Sequence, residues 1–226
     1  MQPVRRRVAS ALFLALVTGC ATRGGTREVA APSDLPNLGV VKGEINDYRS
    51  SGRWDAEIVR VADECTRLAR EAAGQGPRPA VVFDIDETLL SNWPYMQEYD
   101  FARVPSLFAV WADKSECPAI DPVKRFYLAM RDAGVATFVI TGRGEPLRAA
   151  TVRNLERQGI TGWDGISFRP ATDHDRSIVP FKSGERARIE ASGYIIVANI
   201  GDQDSDLAGG HALHACKLPN PAYFIP

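Results

Sequence analysis

Four short apolar runs, at residues 80–83, 136–140, 166–168 and 194–200, are separated by segments of helix length. Runs this short and this continuously apolar suit strands buried on both faces. Strands alternating with helices make βαβ units, so the sequence predicts an α/β fold: a mostly parallel sheet, helices on both faces, right-handed crossovers. In such a sheet ligands bind beyond the carboxyl ends of the strands. The first run opens into Asp84-Ile85-Asp86-Glu87-Thr88, the second into Thr141-Gly142-Arg143, and the last into Gly201-Asp202-Gln203-Asp204-Ser205-Asp206. Acids and a hydroxyl are thus delivered to one rim.

The intervening segments read as helices. Trp54, Ile58, Val61, Cys65, Leu68 and Ala72 form one apolar stripe at helical spacing. Asp121-Pro122 is an N-terminal signal, with Val123, Phe126, Tyr127 and Met130 as the apolar face. Residues 145–158 and 183–192 complete the set, which places Lys182 just before a helix start and within reach of the rim. Tyr223-Phe224-Ile225 reads as a fifth strand, and Lys217 to Pro221 as a rigid structural turn leading to it.

Several carboxylates on one rim repel unless a cation sits among them. Oxygen donors favour a hard ion, and Mg²⁺ suits a site that also receives phosphate. A lysine and a threonine hydroxyl beside that cluster suit an anion with several oxygens. The combination points to phosphoryl transfer, with a carboxylate available as nucleophile. A strongly basic platform for nucleic acid is absent: 24 basic residues face 28 acidic ones once the three arginines of residues 1–19 are set aside.

The ordered set Asp84-x-Asp86-x-Thr88, Thr141-Gly142-Arg143, Lys182 and Gly201-Asp202-x-x-x-Asp206 resembles the four motifs of the haloacid dehalogenase (HAD) superfamily. The wider text from Phe83 to Trp93, from Asn199 to Leu207 and from Lys217 to Pro221 is similar to its subfamily IIIB acid phosphatases. That resemblance implies a HAD-like Rossmannoid fold over residues 43–226. It makes Asp84 the nucleophile and a metal ligand, and Asp86 the acid and then base, with its backbone carbonyl on Mg²⁺. Thr141, with Gly142, would bind the phosphoryl oxygens, and Lys182 would neutralise them. Asp202 would bind the metal directly and Asp206 through water or as support. Arg143 is left between touching substrate and pairing with an acid. Asp204 is expected to face solvent.

Residues 91–119 are too long for an ordinary connection, and the resemblance makes them a small cap. Its aromatics include Trp93, Tyr95, Tyr99, Phe101, Phe108 and Trp111. Most are expected to be the cap's own core; Trp93 and Tyr95, nearest the nucleophile, are the two read as substrate-binding. The expected activity is Mg²⁺-dependent hydrolysis of phosphomonoesters, nucleoside monophosphates among them. A non-catalytic surface lipoprotein that keeps the fold is the alternative.

Residues 1–19 carry a basic start, a short apolar run and a break at Leu16-Val17-Thr18-Gly19-Cys20. This resembles a bacterial lipoprotein signal with Cys20 as the lipidated residue; a plain signal peptide is the competing reading. Ala21 in place of Asp suggests sorting to the outer membrane, facing periplasm or surface. Residues 21–42 lack apolar periodicity and are expected to be a tether, spanning on the order of 25 Å as a coil. Of the remaining cysteines, one pair among Cys65, Cys117 and Cys216 could bond in an oxidising compartment. Cys65, on the apolar stripe, reads as a buried thiol. His174, His211 and His214 have no metal spacing and receive no role.

Overall fold

The computed structural model describes residues 35–171 and 177–226. The expected signal segment, Cys20, most of the expected tether and His174 lie outside them. In chain order the elements are α1 (Leu38–Ser50), α2 (Arg53–Ala73), β1 (Pro79–Phe83), α3 (Trp93–Glu98) and α4 (Pro105–Asp113). There follow α5 (Asp121–Asp132), β2 (Ala136–Gly144), α6 (Arg148–Arg157), β3 (Gly165–Arg169), α7 (Val179–Ala191), β4 (Ile195–Gly201), α8 (Asp204–Leu207) and β5 (His214–Lys217).

The five strands form one sheet in the order β3-β2-β1-β4-β5, and every pairing is parallel. The most apolar run, β1, takes the central place. Its side chains alternate as the pleat requires. Val81 and Phe83 enter one core cluster with Trp54, Ile58 and Cys65 of α2 and Phe126 and Tyr127 of α5. Val82 points the other way, into a smaller cluster with Phe181 and Ile189 of α7. Helices therefore cover both faces. Among the described residues no helix is long and apolar enough to cross a membrane.

Several boundaries differ from the sequence reading. The helix α1 begins at Leu38, inside the stretch expected to be tether. It buries only Ile45 and contains two glycines, so it shows almost no apolar face; the Asn37 side chain caps it at Gly39 N, 2.9 Å away. The helix α7 starts at Val179, which moves Lys182 from just ahead of a helix into its first turns. The fifth strand is His214–Lys217, not 223–225. As an edge strand it buries only Cys216, too little to give an apolar run. Cys65 is no free thiol: it is bonded to Cys216 across 151 residues, tying α2 to β5, and among the described residues Cys117 is the free, buried cysteine.

The long connection after β1 does fold back on itself. Ser91 N donates to Pro118 O (2.9 Å) and Ile120 N to Leu89 O (3.1 Å), closing its base. Between these ties α3 and α4 stand over the carboxyl end of the sheet, knit by Tyr95 against Tyr99, Phe108 and Trp111.

Candidate active site

Asp84 is the first residue beyond β1, and its N–H donates to Ile200 O of β4 at 3.1 Å. That bond extends the ladder one step and fixes the carboxylate at the seam between two central strands. Asp202 is the first residue beyond β4, and Asp206 lies in α8, one turn further. Oxygens of Asp84, Asp202 and Asp206 all lie within 4.8 Å of one another, and all three residues are buried. Lys182 enters from α7 and bridges two of them, with Nζ 2.6 Å from Asp84 Oδ1 and in contact with Asp206 Oδ1.

Each member is held from behind. Gln203 N–H donates to Asp206 Oδ2 (2.9 Å), and Asn199 Nδ2 donates to the Asp206 carbonyl (2.9 Å). Arg186, buried in α7, donates to the carbonyls of Asp206 (2.6 Å), Ala208 and Gly210 (2.8 Å). Asp202 Oδ2 accepts from Gln203 Nε2 and from Asn220 Nδ2, each at 2.6 Å, while Lys217 Nζ holds the Asp202 carbonyl at 2.7 Å. The turn from Lys217 to Pro221, expected to be structural only, therefore supports the site. Gly201 is required where it stands, because a β-carbon there would run into the Asp206 side chain.

Burial drives the electrostatics. It raises Asp84 well above the usual carboxylate range, against the pull of Lys182. Burial and then the charge of Asp206 push Asp202 up to about 7. Burial alone would lower the Lys182 ammonium, yet Asp84 and Asp206 outweigh it and raise it. Three carboxylates against one ammonium leave an excess of negative charge in a dry place. All the donors are hard oxygens, so the cluster fits a small divalent cation.

Asp86 is oriented differently. Its carboxylate turns to Arg143, which donates from Nη2 to Oδ1 (2.7 Å) and from Nε to Oδ1 and Oδ2 (3.1 and 3.3 Å). Asn92 Nδ2 adds a bond to Oδ1 at 2.7 Å. Burial would raise Asp86, but Arg143 and Asn92 prevail and hold it below its usual value. Arg143 thus pairs with an acid, and it also lines the cavity. Thr141 is fully buried near the end of β2, where its Oγ1 accepts the Arg143 N–H at 3.1 Å. Asp204 is exposed.

The cluster forms one wall of a cavity of about 750 Å³ roofed by the cap. Asp84, Asp86, Gly142, Arg143, Lys182, Asp202 and Asp206 line its polar end, and Tyr95, Phe101, Phe108 and Tyr223 give it aromatic walls. Trp93 is not among the lining residues. Its ring packs on Phe101 and on the Arg49 guanidinium, because the start of α3 turns that side chain back toward α1. Tyr223 is read from the sequence only as part of a fifth strand, with no site role. Gln203 and Ser205 hold the last residues beside the site through Ile225 N (2.9 Å) and Ile225 O (2.9 Å), and the nearby acids, after burial, raise the Tyr223 phenol.

The sequence profile of HAD superfamily, subfamily IIIB (Acid phosphatase) matches residues 29–226. The chain is 34% identical over 186 residues to Acid phosphatase 1 of Solanum lycopersicum, covering 80% of this chain and 73% of that one. It is 32% identical over 191 residues to Vegetative storage protein 2 of Arabidopsis thaliana, covering 82% and 72%. The fold is shared with the class C acid phosphatase from Bacillus anthracis with tungstate bound, at a TM-score of 0.68 and 22% identity, over 83% of this chain and 87% of that one. The chain belongs to the HAD superfamily, subfamily IIIB, and is a phosphoric monoester hydrolase of the acid phosphatase type.

Proposed function

We propose that the enzyme depends on Mg²⁺ and hydrolyses small phosphomonoesters through a phosphorylated Asp84. The observation that carries this is the buried Asp84, Asp202 and Asp206 cluster with Lys182 bridging it, set in the wall of a cavity. Asp84 and Asp202, with the Asp86 backbone carbonyl and Asp206 in support, would hold the cation. Bound there, it would offset the charge of a phosphoryl group and of the carboxylates around it.

The protein's own groups then act in order. By the family resemblance, the Thr141 hydroxyl and the backbone at Gly142, which lines the cavity, orient the phosphoryl oxygens. Lys182 draws Asp84 toward its ionised form and offsets developing charge. An Asp84 carboxylate oxygen forms the new bond to phosphorus as the bond to the ester oxygen breaks, and Asp86 gives that oxygen its proton. Asp86 reaches the protonated form as the incoming phosphate competes for Arg143. In the second half Asp86 takes a proton from water, whose oxygen attacks phosphorus and releases inorganic phosphate and Asp84. The aromatic walls favour aryl or nucleoside esters, in reach of a cavity this size.

We also propose export as a lipoprotein, with Cys20 lipidated and anchored at the outer membrane. The Cys65–Cys216 disulfide supports an oxidising compartment. Labelled palmitate should enter the wild type and not Cys20→Ser.

The catalytic reading is tested with the full chain in mild detergent. Phosphate release from aryl and nucleoside monophosphates should require Mg²⁺ and vanish in Asp84→Asn. Release that persists in Asp84→Asn removes the nucleophile, and inertness of wild type with every ester and metal restores the scaffold alternative.

A further inference from the structure

The turn after β1 is held by a side chain that no catalytic motif contains. Arg49 of α1 lies between two indoles, its guanidinium carbon 3.5 Å from the centre of the Trp54 ring and 4.5 Å from that of Trp93. From that slot it reaches Ser91 Oγ at 3.4 Å and Glu87 Oε2 at 3.6 Å. Glu87 is buried and adopts a φ of 50°, a conformation uncommon for a residue with a β-carbon. Its Oε1 accepts the backbone N–H of Asn92, and Asn92 Nδ2 donates to Asp86 Oδ1 at 2.7 Å. A continuous line of contacts therefore runs from the outer helix to the carboxylate of Asp86.

Its endpoint has a consequence at atomic level. Asp86 Oδ1 receives Arg143 Nη2, Arg143 Nε and Asn92 Nδ2, whereas Oδ2 has only the longer Nε contact at 3.3 Å. Oδ1 is engaged by Arg143 and Asn92, so the line, together with Arg143, leaves Oδ2 as the oxygen open to the leaving group. Filling space between α1 and the core would need no charge, since an apolar chain packs well between two indoles. A buried Glu facing an Arg in that position calls for another reason.

We propose that Arg49 and Glu87 are positioning residues for the general acid: through Asn92 they set which oxygen of Asp86 meets the leaving group. This rests on the acid role given to Asp86 above. A proton donor matters most when the departing oxygen is a poor leaving group and little when it is a good one, so the contribution is visible in the substrate series.

The experiment compares an alkyl phosphate with dinitrophenyl phosphate, using the full chain with Mg²⁺. In Arg49→Met and Glu87→Ala, kcat/KM, which reads only the steps up to departure of the ester oxygen, should fall about 10- to 100-fold for the alkyl ester and less than about threefold for the dinitrophenyl ester. Arg49→Lys should recover part of the alkyl rate. If Arg49→Met fails to fold, Glu87→Gln keeps an acceptor for Asn92 without the pull of Arg49 and should show the same selectivity, smaller. Equal losses on both esters in folded variants, or none on either, overturn the proposal. Asp86→Asn is the reference: if it lowers kcat/KM for both esters alike, the acid role itself is wrong and the proposal falls with it. If Asp86→Asn is selective while the Arg49 and Glu87 variants are not, only the positioning role is lost.

Discussion

Lys182→Met withdraws the ammonium from between two buried carboxylates while leaving a side chain of similar length. In the wild type Nζ lies 2.6 Å from Asp84 Oδ1 and touches Asp206 Oδ1, and all three side chains are less than a tenth exposed. Removing one partner of a buried pair costs about 3–5 kcal/mol, because the charge left behind has lost its water as well as its counterion. Here the lower end applies, since Asp84 already sits above its usual value and can take up a proton instead. That relief needs acid, so the loss should be about 3 kcal/mol near pH 8 and smaller near pH 5. Urea unfolding in chelator, followed by tryptophan fluorescence, measures it. Adding Asp206→Asn to Lys182→Met should recover about 1–2 kcal/mol, as expected of groups in direct contact. Turnover with Mg²⁺ should fall about 10²–10³-fold, the range for losing one group that stabilises developing charge. A stability loss below about 1 kcal/mol, independent of pH, is the behaviour of a solvated surface pair. It would refute the argument that Lys182 bridges the cluster.

Other consequences follow from the same geometry. Asp202 is raised by burial from its ordinary 3.8 to about 7, so between those values the folded metal-free protein holds a proton that the unfolded chain has lost. This group therefore makes unfolding easier as pH climbs toward 7, and calorimetry in chelator should show Tm rising on acidification from about 7 to 5. The stabilisation by Mg²⁺ should shrink over the same interval, because binding must first displace that proton. Replacing Cys65 and Cys216 by serine opens a loop spanning 151 residues and should cost about 2–5 kcal/mol in denaturant unfolding. A loss near zero would mean that the bond constrains nothing. Gly201→Ala forces a β-carbon against Asp206; Mg²⁺ affinity measured by titration should drop at least about tenfold, and unchanged affinity would remove Asp206 from the site.

The framework of this site could be read from the chain because strand exits are local events. Asp84 and Asp202 each follow an apolar run directly, and a parallel sheet sends both to one edge whatever happens between them. Lys182 was placeable by its motif, although the helix around it starts earlier than expected. The supporting residues lie in the stretches similar to the family, but no local pattern gives them a role. Glu87, Asn92, Gln203 and Asn220 are ordinary polar residues in turns, and their roles exist only once distant segments meet. Trp93 shows the opposite error. Nearness in sequence to Asp84 suggested a substrate contact, but the turn ending at Asn92 aims its ring at Arg49. The edge strand at His214–Lys217 was hidden for a plainer reason: one buried residue in four cannot make an apolar run. Arg49 lies on a helix with too small a buried face to be noticed at all.

Rapid acid quench of the full chain during turnover of a phosphomonoester, followed by peptide mapping, reads the chemistry at a single side chain. Phosphate should be found on the peptide that contains Asp84, should be missing in Asp84→Asn, and should accumulate in Asp86→Asn, where no base remains to release it. Steady phosphate release with an unlabelled Asp84, or with the label on another residue, would contradict the whole assignment of the buried carboxylates.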